Sequence, residues 1–456
     1  MAALQPERAA LKIPRGRLAE GSIDYLTLSF AELDREVDAW VARLRGRGVK
    51  RGDRTLVMVR QGLPLIAAVF ALFKCGAVPV VIDPGMGLRS FLRCVRHTRP
   101  RVVLGIPAAV LVSRVALRAF SSVEVRIRVS GSLTGRLTSG GGEASRARRS
   151  SPLQREKVES DTALPAMVES APDELAAILF TSGSTGAPKG VCYTHGMFDA
   201  QVRAIRAVYG IEPGEVDLPL LPIFALFNPA LGMTTIVPEI DPRRPATLDP
   251  AAVVLAICQE GVTNSFGSPT LWRIIAEHAA AKGLTLPSLR RVLCAGAPVP
   301  PALWALAARI LPNGSLHSPY GATEALPVST ISGDEVLAET ATKTREGAGT
   351  CVGRPLSNLL ASAAPGEDGS LGVKVKILRL ADGPIAAMDT AVACAPGEIG
   401  EVVVSGPSVT QTYDGLPVAD ALAKIPETAG GAGGRPPRHP PGGGGYPHTS
   451  GGAWGL

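Results

Sequence analysis

The sequence predicts an α/β fold in which parallel sheets are covered by helices on both faces. The first observation is a strand-helix-strand unit: the apolar segment 54–59 (RTLVMV) is followed by a helical segment at 63–76 and a second apolar segment at 77–83. The second is that these strand segments are apolar almost throughout, which is typical of parallel strands buried on both faces. The third is that the same order of segments occurs again later in the chain.

The first predicted helix begins after Ser29. Ser29 and Glu32 have the spacing of a capping box, in which each side chain accepts a hydrogen bond from the backbone of the other residue. Apolar residues then recur at helical spacing until Gly46 and Gly48, which end the helix. The apolar positions of this helix are Leu33, Val37, Trp40, Val41 and Leu44.

Further strands are predicted at 101–107, 174–180 and 289–298. Two of them end in segments rich in glycine, FTSGSTG at 180–186 and LCAGAP at 293–298. Ligands of open α/β sheets collect at the carboxyl ends of the strands. Both segments are therefore candidate binding sites.

Composition restricts the classes of partner. The net charge of +7 over 456 residues is a mild basic excess, and the arginine-rich run at 145–157 contains no aromatic residue that could stack on a base. We therefore expect a solvated loop there and no nucleic-acid partner. The seven cysteines have no CxxC spacing, which indicates reduced thiols of a cytoplasmic protein. The most apolar stretch is interrupted by Lys74 and Pro79, so no membrane span is expected.

Two regions depart from the alternating pattern. Residues 129–160 are rich in Gly, Ser and Arg, and we expect a mobile surface loop there. Residues 427–456 are nearly all Gly, Pro and polar residues. Such a segment buries too little apolar surface to offset the entropy lost on ordering, so a disordered tail is expected. The remaining residues, 1–426, are expected to form the folded unit.

The segment Ile178–Gly196 (ILFTSGSTGAPKGVCYTHG) is a candidate anion-binding loop. Its glycines allow consecutive backbone N–H groups to point inward, its hydroxyl groups add donors, and Lys189 adds a positive charge. The loop residues concerned are Thr181, Ser182, Gly183, Ser184, Thr185 and Gly186. Lys189 is followed by Gly190 rather than by Ser or Thr, so the pattern differs from the P-loop of kinases and GTPases. The anion expected here is a di- or triphosphate.

The order T-S-G-S-T-G-x-P-K-G in this loop resembles the phosphate-binding signature of the adenylate-forming superfamily, which includes acyl-CoA synthetases, luciferases and adenylation domains. Three later segments resemble motifs of the same superfamily: AGAP at 295–298, SPYGATE at 318–324 and GEIGEVVVSGPSVTQTY at 397–413. The resemblance extends to about Pro426. It implies a large N-terminal adenylation domain with two αβ-layered sheet subdomains and a small β subdomain, without the C-terminal lobe.

The resemblance also implies ATP and Mg²⁺ as cofactors and assigns roles along the motifs. Glu324 would hold the metal ion, and Thr323 would reach the α-phosphate. The catalytic residues would be Thr185, Lys189, Thr323 and Glu324. Besides the loop residues named above, the nucleotide would be bound by Gly296, Ala297, Pro298, Tyr320, Gly321 and Ala322.

The acyl-pocket motif of many acyl-CoA ligases reads P-L-F-H, and here Ala225 stands where that histidine would be. Loss of the polar ring leaves an apolar slot suited to a long hydrocarbon tail. The expected lining is Phe224, Phe227, Leu231 and Met233, with Phe266 closing the wall. Each of these residues is also compatible with an ordinary core position.

The stretch at 223–242 (IFALFNPALGMTTIVPEIDP), together with VIDPGMG at 81–87, resembles the β-lactone synthetases of bacterial olefin biosynthesis, a branch also described as fatty acid-CoA ligases. This resemblance implies ATP-dependent activation of a long-chain 3-hydroxy fatty acid to an acyl adenylate and pyrophosphate, followed by cyclisation to a β-lactone. It also implies other enzymes of the olefin pathway as candidate partners.

Two other functions stay open, a long-chain fatty acyl-CoA ligase and a non-catalytic nucleotide-binding remnant. The superfamily's C-terminal lobe and its catalytic lysine are not visible after residue 426, where only Lys424 is nearby in a different context. Impaired activity is therefore expected of this chain. His195 and His317 are expected to be structural residues rather than catalytic bases.

Overall fold

The structure is a computed structural model that describes residues 1–129, 168–180, 188–241, 244–363, 372–381, 383–426 and 453–455. Two segments predicted to lack fixed structure, the loop at 129–160 and the tail at 427–456, lie outside these ranges except for Val129 and residues 453–455. Those last three residues form a short strand.

The strands and helices follow one another along the chain in an alternating order. The strands are β1 (Ala9–Arg17), β2 (Ile23–Ser29), β3 (Arg54–Met58), β4 (Val78–Ile82), β5 (Val102–Gly105), β6 (Val125–Arg128), β7 (Leu175–Phe180), β8 (Gly190–Thr194), β9 (Val216–Asp217), β10 (Thr234–Ile236), β11 (Asn264–Gly267), β12 (Arg291–Cys294), β13 (Ser315–Ala322), β14 (Ala325–Ser332), β15 (Arg354–Pro355), β16 (Lys374–Leu378), β17 (Glu401–Ser405), β18 (Lys424–Pro426) and β19 (Ala453–Gly455). The helices are α1 (Phe30–Gly46), α2 (Leu63–Cys75), α3 (Leu88–Thr98), α4 (Pro107–Val115), α5 (His195–Tyr209), α6 (Asn228–Leu231), α7 (Pro250–Glu260), α8 (Pro269–Ala281), α9 (Pro301–Ile310), α10 (Gly333–Glu335), α11 (Ala341–Arg345), α12 (Leu356–Ala363) and α13 (Pro417–Ala423).

The first helix starts at the predicted capping box. The hydroxyl of Ser29 accepts a hydrogen bond from the backbone N–H of Glu32 at 3.2 Å, and the Glu32 carboxylate accepts one from the Ser29 N–H at 2.9 Å. These two bonds satisfy donors that the first helical turn leaves free. The helix then runs to Gly46, as its apolar spacing predicted.

The first sheet has six strands in the order β6-β5-β3-β4-β7-β8, and all neighbours are parallel except the β7–β8 pair. Its strands are buried on both faces. On β3, Val57 packs with the core cluster that includes α1 and α2, whereas Leu56 packs with the cluster under α3 and α4. This two-sided burial explains why the strand segments are apolar almost throughout.

The second sheet has nine strands in the order β15-β14-β13-β12-β11-β9-β10-β1-β2, with parallel pairing from β13 through to β1. Trp272 on α8 and Trp304 on α9 belong to the core cluster on one face, together with Val292 of β12. The next residue of that strand, Leu293, belongs to a smaller cluster on the opposite face. That smaller cluster surrounds the cavity described below.

A third, antiparallel sheet has the order β16-β17-β19-β18. The predicted α/β class, with two helix-covered sheets and a small β subdomain, is therefore confirmed. All seven cysteines carry free thiols, four of them buried. Within the described ranges, every helix is too short or too polar to cross a bilayer.

Candidate active site

The candidate phosphate loop connects β7 to β8, two antiparallel strands that pair Phe180 with Gly190. The predicted loop residues Thr181, Ser182, Gly183, Ser184, Thr185 and Gly186 lie outside the described residues. The described part resumes at Pro188 and Lys189. A Cβ atom on Gly190 would lie 2.7 Å from the Phe180 ring, so only glycine fits where the two strands close below the loop.

Lys189 and Glu324 meet at one aromatic residue, Tyr413. The Lys189 ammonium lies 4.7 Å from the centre of the Tyr413 ring. The Tyr413 hydroxyl donates a hydrogen bond of 2.8 Å to the Glu324 carboxylate. The structure thus brings a lysine of the phosphate-loop motif and the predicted metal ligand to the same side chain, although they are far apart in the sequence.

Thr323 and Glu324 form the two-residue turn of the β13–β14 hairpin, because Ala322 pairs with Ala325. The backbone of this turn is held by other segments. The Tyr193 hydroxyl donates to the Thr323 carbonyl, and the backbone N–H of Thr410 donates to the Glu324 carbonyl at 2.8 Å. These bonds fix the turn and leave the Glu324 side chain partly exposed.

The other predicted nucleotide-binding residues lie beyond the carboxyl end of β12 and along the last part of β13, which are neighbouring parallel strands. Gly296, Ala297 and Pro298 are exposed after β12, and Gly296 has a φ of 92°, a left-handed conformation that favours glycine. Tyr320 is 40% exposed, and Gly321 and Ala322 are exposed with it. The two groups lie at the same edge of the sheet.

Two residues that the sequence analysis did not assign, Asp420 and Lys424, also contact Tyr413. Asp420 accepts a hydrogen bond of 2.7 Å from the Tyr413 backbone N–H, and the Lys424 ammonium lies 5.6 Å from the ring centre. Burial lowers the pKa of Lys424 to about 8, although the nearby charges of Glu324 and Asp420 act in the opposite direction. Asp420 lies on α13 and Lys424 is the first residue of β18, so only their spacing of four residues in the sequence relates them.

The five predicted acyl-pocket residues line one cavity of about 50 Å³. They are Phe224, Phe227, Leu231, Met233 and Phe266. The rings of Phe224 and Phe266 stack with their centres 3.6 Å apart. Ala225, in contrast, is buried in the core cluster of the first sheet and is not part of this lining. The role of these residues in binding an acyl chain stays a prediction.

The same cavity has three buried polar residues in its lining, Asp217, Asn228 and Asn264. The Asp217 carboxylate accepts hydrogen bonds from the side-chain amides of Asn228 at 2.8 Å and Asn264 at 2.5 Å. Burial raises the pKa of Asp217 to about 6. The sequence analysis missed this group, because each residue stands alone within an apolar segment.

The cavity and the Tyr413 cluster share one structural element, the β13–β14 hairpin. Pro319, Leu326 and Pro327 of this hairpin line the cavity, and its turn carries Thr323 and Glu324. Gln201 of α5 donates a hydrogen bond of 2.8 Å to the Leu326 carbonyl and so ties the hairpin to the cavity's other wall. The hairpin therefore connects the cavity lining to the turn that carries Glu324.

The two histidines stand in packed surroundings. His195 contacts the ring of Phe73 edge-on, with the ring centres 5.7 Å apart. His317 contacts Tyr209 in the same way, and burial lowers its pKa to about 4. A neutral, packed imidazole fits the structural role expected for both residues.

The donor set around Glu324 fits Mg²⁺ better than a metal bound by protein groups alone. Among the described residues, no three His, Cys, Asp or Glu side chains are grouped closely enough to hold a metal ion. Mg²⁺ is commonly held by one or two carboxylates together with water and substrate phosphates. Glu324 could supply one such carboxylate without help from a second acidic residue.

Comparison with known proteins points to one family. The model of the AMP-binding enzyme family matches residues 2–414. The chain is 42% identical to an olefin β-lactone synthetase of Stenotrophomonas maltophilia over 93% of this chain and 71% of that protein. It is 41% identical to an olefin β-lactone synthetase of Xanthomonas campestris over 93% of this chain and 70% of that protein.

The fold matches solved structures of more distant proteins. An AMP complex of O-succinylbenzoate coenzyme A synthetase from Bacillus subtilis superimposes with a TM-score of 0.67 at 20% identity, covering 92% of this chain and 71% of that one. The N-terminal domain of a Mycobacterium tuberculosis protein, FACL13, gives the same TM-score over 92% of this chain and 90% of that one. At 20% identity this similarity shows a shared fold and nothing more.

Proposed function

The chain belongs to the AMP-binding enzyme family, on the branch of the olefin β-lactone synthetases, and from that premise we propose which reaction its site performs. It uses ATP to activate a long-chain 3-hydroxy carboxylic acid as an acyl adenylate, with release of pyrophosphate. The hydroxyl of the same molecule then attacks the activated carbonyl and closes a β-lactone.

One observation carries this proposal: the hairpin that presents Thr323 and Glu324 also forms a wall of an apolar cavity. The reaction needs a charged end that holds a polyphosphate and an apolar end that holds an acyl chain. The hairpin lets both ends meet at one carboxylate group of the substrate. Proximity of this kind supplies a large part of the rate enhancement in many enzymes.

In the first step, a carboxylate oxygen of the substrate attacks the α-phosphorus of ATP, and the bond to the pyrophosphate oxygen breaks. Both reactants are anionic, so positive charge is needed around the phosphates. Lys189 supplies one such charge beside the loop. Mg²⁺ held by Glu324 would add to it by neutralising phosphate oxygens.

In the second step, the substrate's 3-hydroxyl oxygen attacks the acyl carbon, AMP leaves with the electrons of the broken acyl-phosphate bond, and the hydroxyl proton passes to the released phosphate or to water. The four-membered ring is strained, and cleavage of ATP provides the driving force. No external thiol takes part. Pocket residues such as Phe224 and Phe266 exclude water that would otherwise hydrolyse the adenylate.

The test is product analysis with the full chain, ATP, Mg²⁺ and a long-chain 2-alkyl-3-hydroxy acid. We expect pyrophosphate release and a product lighter than the acid by one water, formed without coenzyme A. The matched control is the same acid without the 3-hydroxyl, which should support pyrophosphate exchange but give no lactone. A product that forms only when coenzyme A is present would identify an acyl-CoA ligase instead. ATP binding without pyrophosphate exchange would identify a non-catalytic nucleotide-binding protein instead.

A further inference from the structure

The cavity predicted to hold the acyl chain is not apolar throughout. Asp217, Asn228 and Asn264, here called the polar floor, line it together with aromatic and aliphatic residues. All three are at most 4% exposed. Buried polar groups are normally paired by hydrogen bonds, so any unpaired atom among them indicates what the cavity is built to receive.

The donor capacity of the Asn228 side chain is used within the protein. Its side-chain amide donates to the Asp217 carboxylate at 2.8 Å and to the Thr235 hydroxyl at 3.0 Å. These two bonds engage both hydrogens of the amide. Asn228 therefore fixes the carboxylate in place and has no donor left for a ligand.

Asn264 has an acceptor without a partner. Its amide nitrogen faces the Asp217 carboxylate at 2.5 Å, an orientation that the acceptor-only carboxylate requires. Its side-chain oxygen is buried, and no described group hydrogen-bonds to it. The free capacity of the polar floor thus includes two kinds of acceptor, this oxygen and the remaining lone pairs of Asp217, beside the second amide hydrogen of Asn264. A ligand that complements it must bring a hydrogen-bond donor.

The position of the polar floor shows which part of a substrate would meet it. Asn264 is the first residue of β11, and Gly267 is the last. At the rise of a β-strand, three residues place Asn264 about 10 Å inside the carboxyl edge of the sheet. The predicted nucleotide-binding residues and Glu324 follow or end strands at that edge, so the polar floor is too deep to meet the hydroxyl beside the reacting carboxylate.

We propose that the polar floor is a subsite for a second hydroxyl group, carried on the inner part of the acyl chain and donated to Asn264. This inference rests on the proposed function, since it assumes that the cavity holds the acyl chain. A neutral hydroxyl suits the site because the rest of the lining is apolar and burying a further charge would cost more. An unsubstituted chain would leave the buried Asn264 oxygen without a hydrogen-bond partner.

The test is calorimetric titration of the full chain, in the presence of a non-hydrolysable ATP analogue, with one straight-chain acid and its isomers that carry a single hydroxyl at successive carbons. We expect one inner isomer to bind about tenfold more tightly than the unsubstituted acid, which is the effect of one buried hydrogen bond. In Asn264→Leu this preference should fall below about twofold. The control Leu306→Met changes an apolar residue of similar volume outside the cavity lining and should keep the preference.

The outcomes separate this inference from the proposed function. If the unsubstituted acid binds as tightly as every hydroxylated isomer, the polar floor is a structural feature or holds water, and only this inference is overturned. If neither kind of acid binds to the wild-type chain, both the inference and the proposed function fall. Should Asn264→Leu not fold, the isomer series on the wild-type chain decides the question by itself.

Discussion

The two ends of the site are built in different ways. The nucleotide end is a cluster of charged side chains around Tyr413, drawn from segments that lie far apart in the sequence. The acyl end is a cavity to which one continuous stretch contributes two of the four aromatic residues, and its phenylalanine rings stack. Under the proposed function, the first arrangement would bind a polyphosphate, and the second would bury hydrocarbon. Substitutions at the two ends should therefore affect different ligands.

The largest effect is expected at the nucleotide end. Glu324→Gln keeps the shape of the side chain and an acceptor for Tyr413 but removes the charge that would hold Mg²⁺. Pyrophosphate exchange should fall by about two to three orders of magnitude, as for loss of a group that stabilises charge in the transition state. The affinity for the acid should change little. Glu277→Gln, an exposed change on α8, is the matched control, and an exchange rate in Glu324→Gln equal to that of this control would contradict the assignment.

A substitution in the cavity is expected to lower both the stability of the protein and its affinity for the acid. Phe266→Ala removes a ring that is 8% exposed and stacked on Phe224. The unfolding free energy should decrease by about 3 to 5 kcal/mol, and acid binding should weaken while ATP affinity is retained. Denaturant unfolding and titration with each ligand measure these quantities. Equal losses of ATP and acid affinity would show that the two ends are not separate.

The polar floor of the cavity makes stability depend on pH. The pKa of Asp217 is about 6 in the folded chain and 3.8 ordinarily. Between these values the folded state keeps a proton that the unfolded state has released, so this group's contribution to stability is greatest below pH 4 and is lost as the pH rises to about 6. The loss is at most about 3 kcal/mol.

This pH effect can be isolated by subtraction. The unfolding free energy of Asp217→Asn, measured from pH 4 to 7 beside the wild type, contains the titrations of all other groups. The unfolding free energy of the wild type minus that of Asp217→Asn should therefore decrease as the pH rises across this window. A constant difference would mean that Asp217 titrates normally despite its burial.

The smallest effect is expected from Tyr413→Phe, which removes one hydrogen bond to the Glu324 carboxylate and keeps the ring between the lysines. A hydrogen bond to a charged group is worth about 1.5 kcal/mol or somewhat more, so Mg²⁺-dependent ATP affinity should fall roughly tenfold. Titration with ATP, with and without Mg²⁺, tests this. The loss should largely disappear without the metal ion, and an equal loss in both conditions would show that Tyr413 does not act through Glu324.

The sequence predicted those parts of the molecule that depend on neighbouring residues. The capping box at Ser29 and the strand-helix-strand unit after Arg54 depend on local spacing and hydrophobic patterning, and both are present. The hairpin turn at Thr323 and Glu324 belongs to a short motif whose residues are consecutive. Such features are visible because the physical interactions that create them lie within a few residues.

The parts that the sequence did not predict depend on contacts across the chain. Asp217 and Asn264 stand on separate strands and form a group only because β9 and β11 pair side by side. Lys424 approaches Tyr413 only after α13 folds back. Ala225 was expected at the cavity, but its side chain packs into the core of the first sheet. Neither the spacing of residues nor the composition indicates which distant residues become neighbours in the folded chain.

Under the proposed function, the β13–β14 hairpin would couple the binding of the two ligands thermodynamically. An acyl chain that presses on Leu326 acts on the strand that begins one residue after Glu324. If occupancy of the cavity changes the affinity for ATP by some factor, then ATP must change the affinity for the acid by the same factor. A single pair of adjacent strands could in this way make each substrate tighten or weaken the binding of the other.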